Sequence, residues 1–411
     1  MRRSITLTAV ALSAALTLAA CGGSDTEEPA EDEAPETTAA AEGGAITVWV
    51  DETRQAAVEA AAADYEANTG TTVEIVLKNF EDIRADFNAQ VPTGEGPDIT
   101  VGAHDWLGEL TANGVVAPIE LGDKAGEFEQ VALDAFTYDG QIYGLPYAVE
   151  NIALIRNTAL APEAPATWDD AIAMGQAAGT QFPILLQVGE TGDPYTAYPL
   201  QTSFGAPVFV QNDDGSYTAE LALGGEPGAA FAQWLAAQGA AGTLDTAVTY
   251  DIAVEAFKNG QSPFIIGGPW MLESFADLEL AIDPIPSAGG QPAQPFVGVQ
   301  GFYVNAQSEN ALLANDFLVN YMATEDAQLA LYEAGSRPPA LIAAADAASS
   351  DPITAGFRAV GAEAVPMPSI PEMGAVWEFW GVTEANILNG ADPVSTWDKM
   401  ATDIQGALDA A

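Results

Sequence analysis

From residue 45 on, short β-prone runs alternate with helical stretches, and this alternation limits the possible folds more than any other feature of the chain. "ITVWV" (46–50) is followed by a helical run from Gln55 to Asn68 that Gly70 closes, then by "TVEIVL" (72–77), a further helix and loop, and "DITVGA" (98–103). Such spacing predicts an α/β fold in layers with largely parallel strands, because each helix carries the chain back across the sheet before the next strand begins. Asp139-Gly140 and Asp214-Gly215 lie between β-prone runs and predict hairpins, while Thr167-Trp168-Asp169-Asp170 reads as a capped helix start. The last hundred residues read as mainly helical, and no internal repeat is found. With 411 residues, 48% of them apolar, there is enough material for two well-buried domains.

The N-terminus reads differently. Arg2 and Arg3 precede an apolar run too short to span a bilayer comfortably, and small residues follow, ending in Leu18-Ala19-Ala20-Cys21. Residues 1–20 therefore read as an export signal. Cys21 is the single cysteine, which excludes a disulfide framework, and its setting resembles a bacterial lipobox, implying a lipid-bearing first residue of the mature chain. The acid-rich segment "GGSDTEEPAEDEAPETTAAAEGG" that follows has almost nothing to bury and repels itself, so residues 21–44 read as an extended linker.

A formal charge of −48 argues against nucleic acid and anionic lipid surfaces as partners. One histidine and one cysteine leave no HExxH, CxxC or Cys-His arrangement to write, and no GxSxG elbow, Walker A loop, GxGxxG fingerprint or DxDxDG calcium loop appears. No cofactor and no metal are expected. His104, next to Asp105, is poorly placed for a serine triad, which needs a carboxylate at the far ring nitrogen; it reads as a partly exposed residue at a strand end. A pair of carboxylates acting as an exported glycoside hydrolase stays open, because spacing in sequence does not give their separation. A surface adhesin is a further alternative.

Six ordered blocks carry a family likeness: "GEGPDITVGAHDWLGELTANGVVAPI" (94–119), "LPYAVENIALIRN" (145–157), "APATWDD" (164–170), "FIIGGPW" (264–270), "PFVGVQGFYVNAQS" (295–308) and "IPEMGAVWEFW" (370–380). In order and spacing they resemble the maltose- and maltodextrin-binding proteins of sugar ABC importers. The resemblance implies a two-lobe, periplasmic-binding-protein-like α/β fold with a hinge. Its first lobe would comprise residues 45–149 and 302–350, and its second 150–301 and 351–411. It implies a monomer, anchored through Cys21 on the outer face of the cell membrane, that binds an oligosaccharide and delivers it to an ABC permease.

A sugar offers hydroxyls on its rim and C–H groups on its faces, so such a site needs carboxylates at the edge and aromatic plates against the faces. The resemblance puts Asp105, Glu150 and Asp193 at carboxylate positions and Tyr195, Trp270 and Trp377 at stacking positions. Trp377 and Trp380 stand three apart on a helix and cannot both face one centre; the match from "IPEM" selects Trp377. In the first loop Asp51 or Glu52 is expected to accept from hydroxyls and Arg54 to donate. The chain departs from the maltose binder in having Gly102 where that protein has a tryptophan, and Trp106 where it has an arginine. Trehalose, longer dextrins and cyclodextrins are therefore alternatives to maltose as ligand.

Overall fold

A computed structural model describes residues 44–212 and 217–410. The signal segment, Cys21 with the linker as far as residue 43, and the Asp214-Gly215 turn lie outside the described residues. Strand Ala45–Val50 pairs in parallel with Thr72–Leu77 on one side and with Ile99–Ala103 on the other. The helix Glu52–Thr69 makes the first crossover and buries Ala57, Val58, Ala61 and Tyr65. It stops at Gly70, whose φ of 74° suits glycine because it has no Cβ to clash.

Beyond Ile99–Ala103 the sheet changes direction. The ten-residue strand Phe296–Asn305 runs antiparallel to Ile99–Ala103 and to Gly144–Asn151, with Val116–Ala117 at its end and Val365–Pro366 alongside it in parallel. A separate sheet of Phe264–Gly267, Ala153–Asn157 and Leu280–Asp283 is wholly antiparallel. The expectation of largely parallel strands is thus corrected: it holds for the first three strands. Phe296–Asn305 returns from a distant part of the chain and is free of the local helix crossover that forces parallel entry.

Local signals fare better. Asp139 and Gly140, with φ of 48° and 75°, join the antiparallel pair Thr137–Tyr138 and Gln141–Ile142, both central residues being left-handed as a tight hairpin turn needs. Phe209–Gln211 and Tyr217–Leu221 pair antiparallel on either side of the undescribed turn. Thr167 and Asp170 form a reciprocal capping box at the start of helix Trp168–Ala178. Helices Pro352–Gly361, Met373–Leu388 and Pro393–Leu408 dominate the C-terminal part.

The described residues form one contact unit, yet the buried apolar side chains gather in three separate cores. One draws on residues 46–148 and 299–344. The other two draw on residues 152–404 without using any of 299–344. Two strands pass from the first core to the others: Gly144–Asn151, followed at once by Ile152 in the second core, and Phe296–Asn305, whose Phe296 is in the second core and Val299 in the first.

Candidate functional site

Strand Ile99–Ala103 ends in a single 3-10 turn, His104–Trp106, which fixes three neighbouring side chains in three environments. His104 is buried, not partly exposed as its position suggested. Its Nδ1 accepts from the Val299 amide at 3.0 Å, which leaves Nε2 as donor to the Met367 carbonyl, also at 3.0 Å. Burial lowers its pKa to about 4, so it stays neutral and pins segments from two cores together. Trp106 is also buried, its ring centroid 5.2 Å from that of Phe80. A Cβ at Gly102 would come within 2.6 Å of the Trp106 ring. The missing side chain at 102 and the tryptophan at 106 are therefore one packing solution, and Trp106 fills the space over Gly102.

Asp105 is the most telling of the three. It is 6% exposed; its Oδ2 accepts from the Trp377 indole N–H at 3.1 Å, and its Oδ1 is buried with no hydrogen-bond partner among the described residues. Burial raises its pKa to about 6. Trp377 reaches it from helix Met373–Leu388, so the bond joins the first core to the helix of the second. One turn on, Trp380 is fully buried, donates to Gln201 at 3.1 Å and stacks on Trp377 with centroids 5.5 Å apart. Of this pair, Trp377 is the one beside Asp105.

Tyr195 sits on the first turn of helix Pro194–Thr202, its ring centroid 6.4 Å from that of Trp270. Burial raises its pKa well above 10, and the charges of Glu150, Asp105 and Asp193 add to the effect. Trp270 follows Gly267-Gly268-Pro269, and any Cβ at Gly268 would strike the Trp270 ring, so that glycine is needed for the indole to lie where it does. Asp193 is turned inward. Its carboxylate caps helix Pro194–Thr202 through Thr196 and accepts from Gln187. Behind it, Glu384 is 2% exposed in a small, mostly apolar cavity, and burial first and Asp193 second push its pKa well above the usual carboxylate range.

Glu150 is held at both oxygens, by Arg337 Nε at 2.7 Å and by Gln300 Nε2 at 2.8 Å. Gln300 Oε1 in turn accepts from Arg54, which also donates to Tyr147 and forms an ion pair with Asp51, the N-cap of helix Glu52–Thr69. Arg54 is 1% exposed and burial lowers its pKa to about 10. Asp51 and Arg54 thus lie within a buried network whose donors and acceptors satisfy one another, while Glu52 is exposed beside it. Arg337 closes the network with a bond to Thr53 at 3.2 Å, and its guanidinium lies over the Trp270 ring at 5.5 Å from the centroid.

Arg337, Gln300 and Tyr147 are absent from the sequence-based set. A signal for Arg337 existed: with 11 basic residues against 59 acidic ones, each arginine is conspicuous, and among the described residues three arginines are buried. Asp105, Glu150, Tyr195, Trp270 and Trp377 gather around one region, Asp51 and Arg54 lie beneath it, Trp106 lies to one side in the first core, and Asp193 serves a helix cap. Among the described residues no group of acidic, histidine or cysteine side chains is arranged to hold a metal.

Carboxylates and indoles thus meet between the cores, a combination chemically suited to a neutral polyhydroxyl ligand. The chain belongs to the family of bacterial extracellular solute-binding proteins, which matches it over residues 60–356. Among its relatives, the maltodextrin-binding protein MdxE of Bacillus subtilis is 30% identical, with 88% of this chain and 87% of that protein covered. A galactooligosaccharide-binding protein of the same organism is 27% identical over 96% of this chain and 95% of its own length. The fold is the periplasmic-binding-protein fold: a Thermus thermophilus maltotriose-binding protein, solved with maltotriose bound, superposes with a TM-score of 0.81 at 32% identity, covering 88% of this chain and all of that one.

Proposed function

We propose that the protein captures a maltooligosaccharide outside the cell and hands it, unaltered, to an ABC permease, as the names of its relatives suggest. The observation that carries this reading is Asp105. A buried carboxylate oxygen without a donor costs about 1–3 kcal/mol, and a sugar hydroxyl would remove that cost while the Trp377 indole flanks the ring face. Tyr195 and Trp270 supply further aromatic surface, and Glu150 retains lone pairs beyond the two bonds it makes.

The two-lobe reading, 45–149 with 302–350 and 150–301 with 351–411, is supported by the way the apolar cores divide. Closure follows if the ligand binds both lobes at once, since only then does it favour the closed form over the open one. The lipid on Cys21 would tether a monomer to the membrane surface beside its permease.

Isothermal titration calorimetry against maltotriose, trehalose, β-cyclodextrin and a galactooligosaccharide tests the ligand. The expected result is micromolar affinity for maltotriose, about −8 kcal/mol, with the sugar recovered intact after a day. Preference for the galactooligosaccharide would reassign the ligand; release of glucose would restore the hydrolase alternative.

A further inference from the structure

The two strands that join the cores have a second face. In their pairing Gly298 stands opposite Glu150, and a Cβ at Gly298 would approach both Glu150 and the Tyr195 hydroxyl, so these positions face the candidate sugar site. Asn151 with Val297, and Val149 with Val299, are the neighbouring pairs, and successive side chains of a strand point to opposite faces. Behind the strands, Val149, Asn151 and Val297 line a cavity of about 200 Å³, which has none of the sugar-site side chains in its walls. One wall holds Glu129 and Val131, at the start of helix Gln130–Ala135, whose Ala132 and Leu133 are in the first core. The other is one face of helix Pro352–Gly361, with Thr354, Arg358 and Gly361; Phe357 and Val360 of this helix are in the third core.

Two opposite charges line this cavity without meeting. Glu129 makes no side-chain bond to the helix it precedes, and it forms no ion pair among the described residues. Arg54, Arg84, Arg156 and Arg337 each pair with a carboxylate. Arg358, the fifth arginine of the described residues, does not, although acidic side chains outnumber basic ones 59 to 11.

We propose that this rear cavity binds one free aliphatic α-amino acid, with its carboxylate on Arg358, its ammonium on Glu129 and its side chain against Val131, Val149 and Pro338, and that its occupation strengthens sugar binding on the other face. A guanidinium takes a carboxylate through two parallel bonds. A zwitterion satisfies both charged walls at once, whereas a plain carboxylate meets Glu129 as a like charge and a plain amine meets Arg358 as one. The space equals about seven water volumes, which suits a molecule of the size of valine or leucine and is too small for a disaccharide. The coupling rests on the closure proposed above. In this structure the sugar face is drawn together, since the Trp377–Asp105 bond crosses it. Bending about the connecting strands so as to part that face brings the walls of the rear cavity towards each other. An occupant there resists this movement and so favours the arrangement that grips sugar; by reciprocity, sugar tightens the hold on the amino acid by the same factor.

The test is calorimetry without sugar, using L-alanine, L-valine and L-leucine, with 4-methylpentanoate and isoamylamine as probes that carry one charge each. At least one of the amino acids should bind with a dissociation constant of about 1 mM or below. The singly charged probes should bind at least about tenfold more weakly, and Glu129→Gln and Arg358→Gln, with folding verified by thermal melting, should each weaken the amino acid by a similar factor. Maltotriose should then bind at least about twofold more tightly when the amino acid is saturating. Absence of binding by all three amino acids, equal binding of 4-methylpentanoate, or binding that survives unchanged in both variants would overturn the proposal. Maltotriose affinity that ignores a saturating amino acid would overturn the coupling. Failure of maltotriose to bind at all would instead refute the sugar-binding reading, and the rear site, measured without sugar, would be judged by its own result.

Discussion

Asp105 combines two pH dependences of opposite sign. Its pKa is raised from 3.8 to about 6 by burial, so the folded protein holds this proton more tightly than the unfolded chain. The stability it contributes is complete below about pH 4 and is lost as pH rises through about 6, a change of at most about 3 kcal/mol. The ionised form accepts from sugar hydroxyls more strongly than the protonated one, so affinity should fall on acidification below about 6 while this contribution to stability grows. Calorimetry and thermal melting over the same pH series check both, and Asp105→Asn should flatten both trends. At Glu150, removal of its partner by Arg337→Met leaves a buried charge unpaired and should cost about 3–5 kcal/mol of stability, measured by denaturant unfolding. Adding Glu150→Gln should recover much of the loss. Trp270→Ala should weaken sugar binding by about 2–4 kcal/mol with the fold kept; unchanged affinity in calorimetry would remove that indole from the site.

Elements were legible in the sequence where their causes are local. The left-handed Asp139-Gly140 turn, the capping box at Thr167 and the glycine stop at Gly70 are all local events, and each stands where the sequence put it. The direction of Phe296–Asn305 was not legible, because strand order depends on partners some two hundred residues away. The same holds for the site. Trp377 and Trp380 could be told apart as alternatives from their spacing, but the burial of His104 and the Glu150–Arg337 pair arise from contacts between distant segments that leave no local pattern. Asp193 reads as a free carboxylate in sequence, yet its position one residue before Pro194 also makes it a helix cap, and the cap is what the structure displays. Helix Met373–Leu388 carries both Trp377 and Glu384, and Glu384 stands against Asp193 at the start of the helix that bears Tyr195. Since its pKa is well above the usual range, Glu384 contributes stability at low pH that is lost as pH rises. Glu384→Gln should match the melting temperature of the unmodified chain near pH 4 and exceed it as pH rises, since the amide has no proton whose loss from the unfolded chain favours unfolding, as melting curves from about pH 4 upward would display. An unchanged decline would mean that Glu384 does not titrate in the fold.

At the scale of the whole molecule, two strands and a few side chains join separate apolar cores, with His104 and the Asp105–Trp377 bond crossing between them. Among the described residues no helix is long and apolar enough to cross a membrane. The central claim is that a sugar is gripped from both sides at once and draws the sides together. It is tested most directly by the distance between spin labels at Ala60→Cys and Ala177→Cys, exposed helix positions on either side, in a chain with Cys21→Ser. The account predicts a distance distribution that shifts and narrows when maltotriose is added. A distribution that stays the same, in a sample where calorimetry shows the sugar bound, would contradict it.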